Sequence, residues 1–260
     1  MKLIHLSDCH IIDPAPKNQP AAKPRPHQTL CAIITDICQW HKDADLCVVS
    51  GDLTHDGTLA QYRLFDETIA ALPMPVHVIP GNHDEREPLL ATLPATARDE
   101  NGFINYALTH QGIRIIMLDT LADGEDFGNL CPQRLAWLAN ELQQSQDLPC
   151  LIFMHHPPLA LGLPFMDAIN LQNADAFGDV LQTHPAIRHI FFGHTHRPFH
   201  AIWRGIPVTG GASTFAGQPL AMQPGMGLPD KPWLEPGYGI ALINKHDATV
   251  RYHFEMVRMP

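Results

Sequence analysis

The stretch Leu46-Cys47-Val48-Val49-Ser50-Gly51-Asp52-Leu53-Thr54-His55-Asp56-Gly57 opens on four apolar residues and then turns abruptly polar. A short continuous apolar run bounded by turn residues reads as a strand buried on both faces. The same pattern recurs along the chain. Lys2–Leu6 runs into Ser7-Asp8-Cys9-His10, and Val76–Ile79 into Pro80-Gly81-Asn82-His83-Asp84-Glu85. Cys150–Met154 runs into His155-His156-Pro157-Pro158, and His189–Phe192 into Gly193-His194-Thr195-His196-Arg197-Pro198. Five strand ends therefore deliver Asp, Asn or His. In a parallel α/β sheet the carboxyl ends of the strands share one edge, and ligands bind there. One aspartate after a strand could cap a helix, and one asparagine after glycine could serve a turn. Neither role explains five polar clusters at corresponding positions.

Between these strands Leu30, Ile33, Ile34 and Ile37 give the stripe of an amphipathic helix. Weaker stripes cover Leu59–Leu72 and Pro132–Gln144, the latter with proline placed for a first helical turn. Ile113–Leu118 is a further strand of the first kind. After Phe199 the pattern changes to short strands at Phe199–Trp203, Ile206–Thr209, Tyr238–Ile243 and Thr249–Phe254, the last two joined at His246-Asp247. No repeat or linker divides the chain, so residues 1–260 read as a single domain. Two irregular segments, 13–26 with its five prolines and the Pro/Gly/Met-rich 213–237, are long for connections in a compact domain and read as loops flanking the active site.

Composition sets the bounds. With 17 Lys+Arg against 27 Asp+Glu, the formal net charge is −10. That balance excludes nucleic acid or an anionic membrane as the expected partner. No segment approaches a membrane span, and the start of the chain lacks a secretory apolar run. The six cysteines form neither a C-x-x-C pair nor a disulfide framework. A reduced cytoplasmic setting is expected. Chains rich in histidine, as here with 17, are often metal proteins, but the count alone does not make this one.

Asp8, His10, Asp52, Asn82, His155, His194 and His196 supply three oxygen donors and four imidazoles, with no thiolate. Seven donors exceed what one ion needs, and Asp52, at the end of a middle strand, is the natural bridge between two. Mixed N/O donors suit Mn, Fe, Zn or Co rather than Ca²⁺ or Cu(I). A P-loop, a G-x-S-x-G elbow and an H-E-x-x-H helix are all absent from the sequence.

The ordered set Asp8-x-His10, Gly51-Asp52, Gly81-Asn82-His83-Asp84, His155 and Gly193-His194-Thr195-His196 resembles the calcineurin-like metallophosphoesterases. Within that family the chain is most similar to the bacterial class III cyclic nucleotide phosphodiesterases and the related glycerophosphodiesterases. The resemblance implies an α/β fold, a four-layer α/β/β/α sandwich of two mixed sheets with a dinuclear metal site at the strand C-terminal edge. It places Asp8, His10, Asp52 and His196 on one ion and Asp52, Asn82, His155 and His194 on the other. The choice of His155 over His156 rests on aligning the residue two before the proline. His83 corresponds to a family histidine beside the leaving group, so it is the expected catalytic residue. Asn82, His83 and His196 are expected to meet substrate, with Arg25 and Arg197 as further candidates. The expected cofactors are two divalent or trivalent ions. The expected reaction is attack of a metal-bound hydroxide on a small phosphodiester, a 3′,5′-cyclic nucleotide of the cAMP type first, with His83 acting on the leaving oxygen. Glycerophosphodiesters, broad phosphoester specificity and a non-catalytic protein-binding scaffold are the alternatives. The G-D-x-x-D-R-G arginine of protein phosphatases is missing from Gly51–Gly57, which argues against phosphoprotein substrates. A small-molecule substrate is the expected partner, and the family leaves a homo-oligomer open.

Overall fold

The computed structural model describes residues 1–12, 25–145, 147–225 and 233–258. The 13–24 portion of the first irregular segment and 226–232 of the second lie outside the described residues. In chain order the elements are β1 (Lys2–Leu6), α1 (Pro26–Trp40), β2 (Leu46–Ser50), α2 (Leu59–Ile69), β3 (Val76–Ile79), α3 (Arg86–Thr92), β4 (Tyr106–His110) and β5 (Ile113–Met117). They continue with α4 (Pro132–Gln144), β6 (Cys150–Phe153), α5 (Pro164–Ala168), α6 (Ala174–Gln182), β7 (Ile187–Phe192), β8 (Phe199–Trp203), β9 (Ile206–Gly210), β10 (Gly237–Ile243) and β11 (Val250–Met256).

One sheet has the order β11-β10-β1-β2-β3, and the other β4-β5-β6-β7-β9-β8. In the first, β1, β2 and β3 are parallel, with β10 and β11 added antiparallel. In the second, β5, β6, β7 and β9 are parallel and the edge strands β4 and β8 antiparallel.

The uninterrupted apolar runs follow from three separate cores. Leu3, Val48, Ile115, Leu151, Phe153 and Phe191 meet in a cluster shared by both sheets. Their sequence neighbours point the other way. Ile4, Cys47 and Val49 pack with Leu30, Ile33, Ile37 and Phe65 of α1 and α2, while Ile116, Ile152 and Ile190 pack with Leu138, Leu142 and Phe177 of α4 and α6. Successive strand residues therefore need apolar side chains for two cores at once. The result is an α/β/β/α sandwich. The α1 stripe is buried along its length, and each such side chain contributes roughly 1.5–3 kcal/mol.

Strand and helix positions read from sequence agree with the structure to within two residues at most ends, except that α2 stops at Ile69. Not read were β4 and the short helices α3, α5 and α6. β4 is a half-exposed edge strand, so it lacks the run that marks its neighbours. Its Tyr106 hydroxyl donates to the Val78 carbonyl at 2.8 Å and accepts from the Val78 amide at 3.0 Å, stitching the two sheets together. All six cysteines are free thiols.

Candidate metal centre

The parallel strands β1, β2, β3, β6 and β7 all end at the same edge, and the residues that follow them fold inward. Asp8, His10, Asp52, His194 and His196 all have left-handed φ angles, of 54°, 45°, 52°, 68° and 49°. Non-glycine residues adopt that region rarely, at a cost of about 1–3 kcal/mol each. Glycines beside them admit the close approach. A Cβ on Gly51 would lie 2.7 Å from His155 Cγ, and one on Gly193 would lie 2.8 Å from the Ser50 carbonyl.

The structure brings all seven expected ligand residues together with His83. One ligand atom from each of Asp8, His10, Asp52 and His196 lies within 4.8 Å of the others, every residue buried. His10 Nε2 is 3.4 Å from Asp52 Oδ2 and 2.9 Å from His196 Nε2, and His196 Nε2 is 3.6 Å from Asp8 Oδ1. On the other side of Asp52, His155 Nε2 is 3.4 Å from Asp52 Oδ2 and 3.1 Å from Asn82 Oδ1. The His194 Nδ1 to Asn82 Oδ1 distance is 2.9 Å. Asp52 thus stands between two donor groups.

His155 and His156 are separated by their partners. His155 Nδ1–H donates to the Ser50 carbonyl at 2.8 Å, which orients the ring so that Nε2 faces Asp52. Both nitrogens of His156 are engaged elsewhere, Nδ1 with the Thr120 hydroxyl at 2.8 Å and Nε2 with the Asp126 carbonyl at 3.2 Å. His83 lies at the rim: its Nδ1–H donates to the His55 carbonyl at 2.9 Å, and its amide donates to Asp52 Oδ1 at 3.0 Å.

The electrostatics call for cations. Burial, aided by neighbouring Asp52, raises the Asp8 carboxyl despite the histidines beside it. Burial would raise Asp52 as well, but His155 and His10 overcome it and hold that carboxyl well below the usual range. Burial drives His10 and His194 well below the usual imidazole value, so both present neutral, ligand-competent nitrogens. His155 is pushed up to about 9, its burial outweighed by Asp52. Asp8 Oδ2, His194 Nε2 and His196 Nδ1 are buried with no hydrogen-bond partner. Buried polar atoms are seldom left unmatched. A crowd of N and O lone pairs around two carboxylates fits a pair of borderline cations.

Arg197 donates to the Gln218 carbonyl and so pins the 213–225 segment to the metal loops, and Arg25 is the exposed N-cap residue of α1. Sequence reasoning missed Asp84 as an organiser. Its carboxylate accepts from the amides of Leu53 (3.0 Å), Thr54 (3.2 Å) and Gly81 (2.9 Å) and from the Tyr62 hydroxyl (2.9 Å), tying the loop after β2 to the loop after β3. It also missed His55, whose ring stacks on His83. Both lie inside quoted motifs, but nothing in their spacing distinguishes them from solvated turn residues.

Comparison with known proteins agrees with this geometry. The calcineurin-like phosphoesterase family model matches residues 1–198. The chain belongs to that family. A "Probable cyclic nucleotide phosphodiesterase" of Rhodopseudomonas palustris is 35% identical over 80% of this chain and 76% of its own length. The 3′,5′-cyclic adenosine monophosphate phosphodiesterase CpdA of Vibrio vulnificus is 28% identical over 82% of this chain and 76% of that protein. A "Probable glycerophosphodiester phosphodiesterase GpdQ" of Arcobacter nitrofigilis is 35% identical over 72% and 69%. Among solved structures, a dimetal phosphatase from Danio rerio superposes with a TM-score of 0.66 at 17% identity, covering 92% of this chain and 91% of that one. That likeness supports the fold. As a calcineurin-like phosphoesterase, the chain is a metal-dependent hydrolase of phosphate esters. No helix among the described residues is long and apolar enough to cross a membrane.

Proposed function

We propose that the chain is a phosphodiesterase for small diesters, 3′,5′-cyclic nucleotides of the cAMP type before others. In this reading Asp8, His10, Asp52 and His196 hold one metal ion, and Asp52, Asn82, His155 and His194 hold a second. The observation that carries the reading is the convergence of seven buried donors around Asp52, three of them with a polar atom that has no partner. Mn, Fe, Zn and Co all suit this donor set. When bound, such ions neutralise the diester's charge and lower the pKa of a water.

The chain's own residues do the rest. The Ser50 carbonyl and the Gly51, Gly81 and Gly193 backbones hold His155 and Asp52 in register. Asp84 locks the two loops that carry Asp52 and Asn82. His83, oriented by the His55 carbonyl, keeps Nε2 for the substrate; as an imidazolium it would pass its Nε2 proton to the departing alkoxide and be left neutral with Nδ1–H on the His55 carbonyl. A glycerophosphodiester is the second reading, favoured by the GpdQ relatives at 34–35% identity.

The test is hydrolysis by the metal-reconstituted chain of bis(p-nitrophenyl) phosphate beside p-nitrophenyl phosphate, then of 3′,5′-cAMP beside glycerophosphocholine. The apoprotein and Asp52→Ala serve as controls. Diesterase activity lost in both controls is expected, with cAMP the faster natural substrate. Stoichiometric binding of Mn²⁺, Fe²⁺, Co²⁺ or Zn²⁺ without any turnover would refute the reading and favour the scaffold.

A further inference from the structure

Strand β11, Val250–Met256, is the outermost strand of its sheet and pairs with β10 alone. Its open side lacks the devices that blunt a sheet edge. The strand has seven residues in unbroken register with β10, without proline, lysine or bulge. The other edges are shorter: β4 and β8 span five residues each, and β3 spans four with Val78 occupied by the Tyr106 hydroxyl.

The hydrogen-bond phase of the open side follows from bonds at the two ends of the hairpin. The Asn244 amide donates to the Thr249 carbonyl, and the Val257 amide to the Pro236 carbonyl. Both continue the β10–β11 register, in which Leu242 faces Arg251, Ile240 faces His253 and Tyr238 faces Glu255. Bonded and unbonded pairs alternate along an antiparallel ladder, so Arg251, His253 and Glu255 spend their backbone groups on β10. Val250, Tyr252, Phe254 and Met256 turn theirs to the open edge. Side chains alternate too. Val250 and Tyr252 pack toward the core between the sheets, while Phe254 and Met256 on the same face are 37% and 38% exposed. Arg251, His253 and Glu255 stand exposed on the opposite face, and neither Arg251 nor Glu255 forms an ion pair with another described residue.

We propose that β11 is the docking edge for a second copy of this chain, the two strands pairing antiparallel about a two-fold axis at His253. Self-pairing must join residues of the same hydrogen-bond phase, and of the registers that do so the one centred on His253 uses the whole strand. It sets Val250 opposite the partner's Met256 and Tyr252 opposite the partner's Phe254, each pair exchanging two backbone hydrogen bonds. It also sets Arg251 opposite the partner's Glu255, twice by symmetry. The strand is its own complement in charge and in apolar surface, and that selects a second copy over any other extended segment. Pairing joins two five-stranded sheets into one and carries the core between the sheets across the axis. β11 runs in the same direction as β1, toward the metal edge. An antiparallel partner therefore has its own metal edge at the opposite end, and both centres stay clear of the interface.

Sedimentation equilibrium of the full chain over a range of concentrations tests this, with far-UV circular dichroism and thermal unfolding to show that each variant is folded. Wild type is expected to form dimers. Arg251→Glu creates two like-charge pairs across the axis, as does Glu255→Arg, and each is expected to raise the dimer dissociation constant about tenfold or more. Mixing the two single variants sets an acidic strand against a basic one and is expected to restore dimers, as is the double exchange Arg251→Glu with Glu255→Arg. Phe254→Pro removes an amide that β10 does not use and is expected to give a folded monomer. A monomeric wild type, or a dimer that neither charge reversal nor Phe254→Pro weakens, overturns the proposal. So does a mixture of the two single variants that associates no more tightly than either alone.

Discussion

Gly81→Ala is the sharpest probe of the geometry around Asp52. Gly81 does not need positive φ. It is glycine because of what lies against it: an added Cβ would sit 2.8 Å from His155 Cε1 and closer still to the Asp52 carboxylate and amide. Ordinary carbon contacts begin near 3.5 Å, so the loops after β2 and β3 would have to part by about 1 Å. Backbone blocks the easy route, because the Asp52 carbonyl accepts from the His10 amide at 2.9 Å. Movement of Gly81 instead breaks its amide's 2.9 Å bond to Asp84 and strains the 3.0 Å bond from the His83 amide to Asp52. In either case Asp52 Oδ2 leaves its position 3.4 Å from both His10 and His155. A misplacement of that size costs on the order of 10²-fold in turnover, and disturbed ligand support costs roughly 10–100-fold in metal affinity. Equilibrium dialysis with Zn²⁺ and bis(p-nitrophenyl) phosphate turnover read both, with thermal unfolding to confirm the fold. Gly124→Ala is the control, since Gly124 has positive φ but open space around it, so strain acts there without a clash. If Gly81→Ala folds, binds ions as wild type does and keeps half its turnover or more, the role given to Asp52 is wrong.

His83→Ala should keep both ions and lose about 10²–10⁴-fold in kcat; full turnover in the ion-loaded variant would remove His83 from the mechanism. Tyr62→Phe deletes a fully buried hydroxyl that donates to Asp84 at 2.9 Å and accepts from the Glu85 amide at 2.8 Å. Urea unfolding should show a loss of about 1–3 kcal/mol, together with weaker metal binding; unchanged metal affinity would mean that Asp84 does not hold the two loops. Burial first, then His189, pushes His5 down to about 3, so it is neutral when folded, while the unfolded ring titrates at 6.5. Its contribution to stability is therefore complete above pH 6.5 and is lost as pH falls from there toward 3. Between pH 7 and pH 5 wild type should lose about 2 kcal/mol that His5→Gln does not; equal losses in urea titrations would contradict the assignment.

The fold was legible because β1, β2, β5, β6 and β7 each feed two cores, and a residue pair such as Ile115 and Ile116 of β5 must be apolar on both sides. Elements with few fully buried side chains left weaker marks: β4 is a half-exposed edge whose residues only flank the cores, and α5 spans five residues. The seven side chains that converge around Asp52 were legible by type and position. What sequence could not separate was His155 from His156, because the difference lies in distant partners, the Ser50 carbonyl for one and Thr120 with Asp126 for the other. Asp84 and His55 were hidden for a related reason. Their roles depend on where the loops after β2 and β3 cross, and the chain separates those loops by some thirty residues.

The left-handed residues explain why the paired motifs take the form D-x-H and H-x-H. In an extended strand Asp8 and His10 would already share a face, but that face would look into a core rather than over the sheet's edge. Turning residues 8 and 10, and again 194 and 196, into the left-handed region swings both donors of each pair past the strand end. The residue between is carried inward, and Cys9 is accordingly buried in the helix-side core. Glycine would adopt these angles without strain but would bring no donor. The strain persists because neighbouring chain over-determines it: the Asp8 amide donates to the Gly51 carbonyl at 3.1 Å, the His194 amide to Asp8 Oδ1 at 2.9 Å, and the Gln218 amide to the His196 carbonyl at 3.1 Å. The loops after β1, β2 and β7 thus hold one another, and the segment around Gln218 holds the last of them. Five costs of about 1–3 kcal/mol each are sustained at one point of the molecule, and ions binding the folded chain alone would return that energy as stability.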